Sequence, residues 1–346
     1  MNPVNQLLSC GGSSGGEGAL LALGASNVGV GTDIGKHIPA NTPYWADLFA
    51  FRPHFVERAL SSHPGGASPY RTVANSSPGQ SICPSAIGFM STSLLGLKLI
   101  MTSLFSTEPW LRDLSVVPMP WRAEKESIRG KLCFAVLRND RMVQPHPPIA
   151  RGIEIVADAV QNSGHTDIIL DTGGGDDVWR QLNILHEPVI PQVSERFGNG
   201  PKDPVPTLEL LDIVLKHEAY VARYLKYWAS TITQTGTGRA VDAVILPVAP
   251  HAAVVPGEYY HYGYTEFVNL LDFSSAVLPV TKADKDMDVA RGDFKPLTPK
   301  DEINWRAYNA DTYACPGLRS IDGSEVRRGA NFGHCHERRR TLEQID

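Results

Sequence analysis

Two stretches near the start of the chain combine side chains and backbone suited to chemistry. Residues 9–18 read Ser-Cys-Gly-Gly-Ser-Ser-Gly-Gly-Glu-Gly, and residues 29–35 read Gly-Val-Gly-Thr-Asp-Ile-Gly. A serine hydroxyl is a weak nucleophile at neutral pH and needs a base within hydrogen-bond reach. The oxyanion formed in attack on a carbonyl needs preset N–H donors, which a glycine-rich turn presents without side-chain hindrance. By residue type alone, the pair of turns reads as a flexible surface loop that carries hydroxyl and carboxyl groups. Phosphate binding fits worse. Gly31-Thr-Asp-Ile-Gly-Lys36 has three residues between its glycines where the Walker A pattern has four, and His37 follows where Ser or Thr belongs.

Other polar clusters carry less. Lys36-His37 could be pictured as a base and nucleophile, but a solvated pair on a loop explains it better. Asp171-Thr-Gly-Gly-Gly-Asp-Asp177 has the composition of a turn rather than a cation site. His334-Cys-His336 with Cys315 matches no zinc-finger spacing. The sequence gives no reason to expect a metal or a cofactor.

The elements that must position the two turns are partly readable. Ala19–Gly24 is a short helix-prone stretch, and 27–31 is a short apolar passage. Lys131-Leu-Cys-Phe-Ala-Val-Leu137 is a buried-strand pattern. Apolar residues at Ile149, Ile153, Val156, Ala157 and Val160 form a helical stripe, and Gly164 fits its C-terminus. Asp167-Ile-Ile-Leu170 is a second strand, so the segment is a βαβ unit with an expected right-handed crossover. Thr207–Ser230 is a further helix, and Val241-Asp-Ala-Val-Ile-Leu246 a further strand. This alternation predicts an α/β fold with helices on a mostly parallel or mixed sheet. Residues 41–80 show no clean period, and no element can be drawn after Asn309.

Composition sets the outer bounds. The 346 residues are 42% apolar and 20% charged, with a net charge of −5 and a sequence pI of about 6.1. That is a globular composition without a basic field for nucleic acid or anionic lipid. The most apolar window, Ile87 to Phe105, contains Lys98, Ser/Thr residues and two glycines, which predicts a buried amphipathic helix rather than a membrane span. Five scattered cysteines with no CxxC pair, and no basic or apolar leader at the N-terminus, predict a reducing, cytoplasmic setting.

The Gly11–Leu20 stretch followed by Gly29–Gly35 resembles the amidase signature family, and within it the fungal acetamidase-like branch of general amidases. Downstream blocks support the resemblance: Asp171–Asp177, Val244-Ile-Leu-Pro-Val-Ala-Pro250, Gly263–Asp272 and Ala276–Asp284. It covers about residues 2–35 and 76–310. It implies an α/β fold with a mixed central β-sheet covered by helices on both faces, incomplete here at both ends. The implied domain runs over residues 1–313, divergent at 36–75 and lacking the N-terminal third of the family domain. Residues 314–346 are an expected divergent, unstructured tail.

The resemblance also implies an activity: hydrolysis of a carboxylic amide by a Ser–Ser–Lys triad through an acyl-enzyme, with a small-molecule amide as the partner. The relay serine matches Ser13, and the oxyanion turn matches Thr32, Asp33, Ile34, Gly35 and Lys36. The family continues Gly-Gly-Ser-Ile-Arg-x-Pro with the serine as nucleophile. This chain reads Gly35-Lys-His-Ile-Pro39, so His37 stands at the nucleophile position and the Ile-Arg pair is missing. The base lysine of the family lies upstream of the relay serine, and residues 1–12 hold no lysine. The chain is thus expected to be an impaired amidase. The competing expectation is an inactive relic, or a misassembled gene product, with at most a binding role. Family sequences also carry acidic residues at the positions of Leu95 and Gly96, so the helix starting there is expected to be weaker by about 0.3–1 kcal/mol.

Overall fold

The computed structural model of the chain describes residues 2–12, 14–33, 49–52, 86–112, 118–127, 130–169 and 206–313. The elements in chain order are α1 (Gly15–Ala22), β1 (Val28–Asp33), β2 (Phe49–Arg52), β3 (Ala86–Ser91), α2 (Leu94–Ser106), β4 (Cys133–Val136), α3 (Pro147–Asn162), β5 (Thr166–Ile169), α4 (Thr207–Ser230), β6 (Ala243–Ile245), α5 (Gly263–Leu270), β7 (Ser275–Val277), α6 (Pro299–Arg306) and α7 (Ala310–Tyr313). The Asp171–Asp177 turn, the 314–346 tail and the 36–75 stretch apart from β2 lie outside the described residues.

The described strands form two ladders. One is antiparallel, in the order β1-β3-β2-β7, with Val28 opposite Ser91 and Phe51 opposite Phe89. The other is parallel, in the order β5-β4-β6, with Phe134 opposite both Asp167 and Ala243. Both hydrogen-bonding modes are present, as expected of a mixed α/β fold.

The βαβ unit is β4-α3-β5. Pro147 and Pro148 open α3, where a missing backbone N–H costs nothing. Gly164, at φ +83°, ends it in the left-handed region that favours glycine. The stripe of α3 buries Ile153 and Ala157 against Val136 and Ile245 of the parallel ladder. On the same ladder, Ala135 and Leu137 pack with Phe267, Leu270 and Leu271 of α5 and its end, and with Tyr220, Tyr224 and Trp228 of α4.

The 87–105 window is not one helix. Its first part is β3 and only the second part is α2. The break is at Ser91-Thr-Ser93, where hydroxyls compete with a continuous helix backbone. Ser91 Oγ donates to Asn27 O at 2.8 Å, and Ser93 Oγ accepts from Gly96 N at 3.0 Å as an N-cap. The first turn has no acidic residue, but a Cβ at position 96 would run into the Ser91 side chain. The glycine there serves close packing. Further differences from the sequence reading are small elements: β2 inside 41–80, β7, and α7 beyond Asn309 are each too short to show a period.

A polar tie fixes α3 to the 281–288 loop. Arg151 donates from Nε and Nη2 to both oxygens of Asp288 at 2.7 Å, and from Nη1 to Thr281 Oγ1 at 2.6 Å. Asp288 is almost fully buried, and its partner holds the guanidinium pKa above its ordinary value, chiefly through that hydrogen bond. Arg151→Ala strands a buried carboxylate and is expected to cost about 3 kcal/mol, the low end for a broken buried pair because the arginine is partly exposed. Urea unfolding would measure it. A loss under about 1 kcal/mol would place the pair among surface bridges instead.

Candidate active site

The serine loop is held from both sides. Ser9 N donates to Val254 O at 2.7 Å, and Gly11 N donates to Ser9 Oγ at 3.0 Å. Leu8 packs on Ala253, with Val4, Cys10, Ala19, Ala22 and Val255 around them. Asn2 Oδ1 accepts from the backbone N–H groups of Val4 and Asn5, and Asn5 Nδ2 donates to Thr312 O at 3.0 Å. The segment before the loop is therefore tied to the 253–255 strip and to α7.

Two glycines allow α1 to close on its neighbours. A Cβ at Gly15 would sit 2.9 Å from Cys10 Sγ and 3.2 Å from Cys10 O. A Cβ at Gly29 would sit 2.6 Å from Glu17 Cγ and 3.0 Å from Leu21 Cδ1. The glycine pattern of 9–18 and 29–35 thus has a packing reason: α1 lies on β1 at a separation that side chains would prevent.

The serine loop meets β1 at Ser14 and Thr32. Ser14 precedes α1 at its N-cap position, yet its hydroxyl makes no cap bond. Ser14 Oγ instead accepts from Thr32 N at 3.4 Å, and Ser14 O accepts from Gly18 N at 3.1 Å. Thr32 is exposed, and Asp33 is the last residue of β1. Ser13, Ile34, Gly35, Lys36 and His37 lie outside the described residues. The residue next to Ser13 is nonetheless hydrogen-bonded to Thr32, which with Gly31 and Asp33 belongs to strand β1 and not to the turn expected from Gly31 onward. Sequence reasoning gave Ser14 no role; the signal available was its place between a serine and a helix-opening Gly-Gly. Among the described residues, no group of three or more His, Cys, Asp or Glu could hold a metal ion.

A family model described as Amidase matches residues 1–185, which contain both turns. The chain belongs to the amidase family. Two curated relatives are similar to this chain along most of its length. An acetamidase from Aspergillus oryzae is 36% identical over 335 residues, covering 90% of this chain and 59% of the relative. An acetamidase from Emericella nidulans is 36% identical over 337 residues, with the same coverage. The chain thus spans somewhat under two thirds of those relatives. Among solved structures, fatty acid amide hydrolase superposes with a TM-score of 0.75 at 24% identity, covering 95% of this chain and 60% of that one. A 6-aminohexanoate cyclic dimer hydrolase superposes at 0.59 and 15% identity, covering 91% and 70%. These likenesses establish the amidase signature fold. No helix among the described residues is long and apolar enough to cross a membrane.

The chain also has a buried histidine cluster that sequence reasoning missed. His146, His251 and His261 are all fully buried. They come from the loop before α3 and from the segment leading into α5. The His146 ring lies 6.2 Å from His251 and packs on Tyr308 and Tyr313 at 4.8 and 5.8 Å. Its Nε2 bonds Asn304 O at 2.8 Å. His261 Nε2 bonds the Asp140 carboxylate, which also accepts from the N–H groups of Met142 and Val143. Burial works to raise the Asp140 pKa, but the His261 bond and charge and those two N–H groups outweigh it and hold the carboxyl below its ordinary value. Burial and repulsion from His251 push His146 down to about 3. Burial and the charge of His261 push His251 down to about 4, against the pull of the Ala252 carbonyl. Pro145-His-Pro-Pro148 and Tyr259-Tyr-His-Tyr262, histidines set among prolines and aromatics, were the signal in the sequence.

Proposed function

We propose that this chain derives from a hydrolase of carbon–nitrogen bonds in small carboxamides, working through an acyl-enzyme, and that its turnover is impaired. Ser13 is the relay serine, and the backbone of Thr32, Asp33, Ile34, Gly35 and Lys36 lines the oxyanion site. The observation that supports this reading is the Ser14–Thr32 bond, which joins the residue after Ser13 to the first of the residues assigned to the oxyanion site. In the proposed reaction the amide carbonyl oxygen is held by the turn's N–H groups while a hydroxyl attacks its carbon. The proton passes through Ser13 to a base and on to the departing amine, and water then hydrolyses the acyl-enzyme to release the acid. Position 37, where the nucleophilic hydroxyl belongs, is histidine. That substitution favours a second reading, in which the chain binds amides without cleaving them.

The experiment is a turnover assay of the purified chain on acetamide, benzamide and nitrophenyl acyl esters, paired with calorimetric binding of acetamide. The expected result is no turnover near ~1 s⁻¹, the lower end of ordinary enzyme rates. Turnover at that level, abolished by Ser13→Ala, would show that the chain is a competent amidase and that the impairment assigned to His37 is wrong. Saturable amide binding without turnover would select the second reading.

A further inference from the structure

We propose that a resident water molecule is buried between His146 and His251, donating one hydrogen to each ring and tying the loop before α3 to the strip that holds the serine loop. The inference is independent of the proposed activity. It starts from the nitrogen of each ring that is already bonded. His146 Nε2 lies 2.8 Å from Asn304 O, and His251 Nδ1 lies 2.9 Å from Ala252 O. A carbonyl oxygen only accepts, so each of these nitrogens carries the ring hydrogen. A neutral imidazole has one N–H and one lone pair. Burial drives both rings to the neutral form, which leaves the lone pairs on His146 Nδ1 and His251 Nε2. Both atoms are buried, and neither has a hydrogen-bond partner among the described residues.

An acceptor shut away from solvent is unfavourable unless a donor reaches it. The two rings cannot satisfy each other, because both remaining nitrogens are acceptors. Their centroids stand 6.2 Å apart with the planes at 54°, a gap that two hydrogen bonds of about 2.8 Å meeting at one oxygen can span. Neighbouring donors are already committed. The Tyr308 hydroxyl donates to Asp288 O at 2.6 Å, and His146 N donates to Pro250 O at 2.6 Å. Two acceptors without a donor call for a small molecule with two hydrogens to give, and water is the molecule that buried polar groups of this kind ordinarily hold. A cation is the poorer occupant. An ammonium or a metal ion would bring back between the rings the charge that burial keeps off both of them. An anion adds further acceptors and no hydrogen. The bridge lies at a junction. Beside it the backbone of His146 is bonded to Pro250, and four residues further on Val254 O accepts from Ser9 N at 2.7 Å. The water therefore adds a side-chain tie to the backbone tie between the loop before α3 and the strip behind the serine loop.

A crystal structure of the whole chain, at a resolution that shows ordered solvent, is expected to hold one oxygen within about 2.7–3.1 Å of both His146 Nδ1 and His251 Nε2. The distance identifies the occupant, because a metal ion would stand at about 2.0–2.1 Å from each nitrogen. Nitrogen-15 spectra of histidine-labelled protein at neutral pH give a second reading. They should show His146 with its hydrogen on Nε2 and His251 with its hydrogen on Nδ1, and the ring C–H protons of both should give cross-peaks to one long-lived water. In His251→Leu the His146 ring should lose that cross-peak altogether, because the bridge needs both lone pairs. If this variant does not fold, the wild-type crystal and spectra decide alone. The opposite tautomer on either ring would overturn the proposal. So would contacts of metal length, or two wild-type nitrogens that share no oxygen. A direct bond to either nitrogen from the hydroxyl of Tyr313, whose ring lies 5.8 Å from that of His146, would also overturn it. So would a water contact at His146 that survives His251→Leu.

Discussion

The chain carrying Lys36→Gly, His37→Ser and an Ile-Arg insertion after position 37 is expected to remain without carboxamide turnover when made as residues 1–346. It should gain activity by at least about 10³-fold when a segment bearing the family's upstream lysine is joined before residue 1. The repair supplies a hydroxyl where the chain now has imidazole, and restores the loop length of the Gly-Gly-Ser-Ile-Arg-x-Pro pattern. A hydroxyl alone does not suffice. Its proton must leave for a base in the transition state, and an unassisted serine is a weak nucleophile at pH 7. Ser13 can relay a proton but cannot store it. Members of such a unit are strongly non-additive: losing one costs nearly as much as losing all, about 10⁴–10⁶-fold. The four combinations, loop repaired or not and lysine segment present or not, should therefore show activity in one corner only. Labelling by a serine-directed fluorophosphonate reads the same matrix without a substrate choice. Appreciable turnover from the loop repair alone would mean that another residue supplies the base, and the roles given to Ser13 and position 37 would fall.

How far the molecule was legible depended on the length of each signal. α4 and α3 were readable nearly to the residue, because several turns of helical period cannot be mistaken for a strand. The β4-α3-β5 unit followed, since strands that flank one helix at this spacing have few other ways to pair. The β3–α2 boundary was not readable. Ile87–Phe105 is apolar throughout, and only Ser91 and Ser93 mark the change, through hydroxyl bonds that are visible only in three dimensions. β2 and β7 are three- or four-residue strands defined by their partners, Ala50 opposite Val277 and Phe51 opposite Ala276. At the site, the glycine spacing was the signal. It reflects real close approaches at Gly15 and Gly29, and the same approaches bring Ser14 to Thr32. The pattern named Ser13 by resemblance; the role of Ser14 in joining the serine loop to β1 depends on folding.

Acid should unfold this protein well above the pH at which carboxylates protonate. His146 and His251 are held neutral in the fold, with pKa values of about 3 and about 4, by burial first and by neighbouring histidines next. In the unfolded chain both return to about 6.5. A histidine whose folded pKa is depressed contributes stability that is fully present above 6.5, and that is lost as pH falls toward its folded value, because the unfolded state takes up the proton first. Between pH 6.5 and pH 4.5 both groups act together, each at about 1.4 kcal/mol per pH unit. The summed loss is on the order of 5 kcal/mol, comparable with the whole stability of many domains. The groups facing the pair leave no easy escape. His261 is already committed to Asp140, while Tyr308, Tyr313 and Asn304 offer rings and a carbonyl but no carboxylate. Asp140, held below its ordinary value, adds to the loss only at lower pH still. Protonation should therefore release the α6–α7 segment from the loop before α3, since His146 is what Asn304, Tyr308 and Tyr313 pack around. The measurement is the urea midpoint against pH, for the wild type and for His146→Asn with His251→Gln. The wild-type midpoint should fall steeply from pH 6.5 to 4.5, and the double variant, less stable at pH 7, should show a much flatter line. A flat wild-type profile, or equal slopes in the two proteins, would mean that these rings are not what makes the fold acid-sensitive.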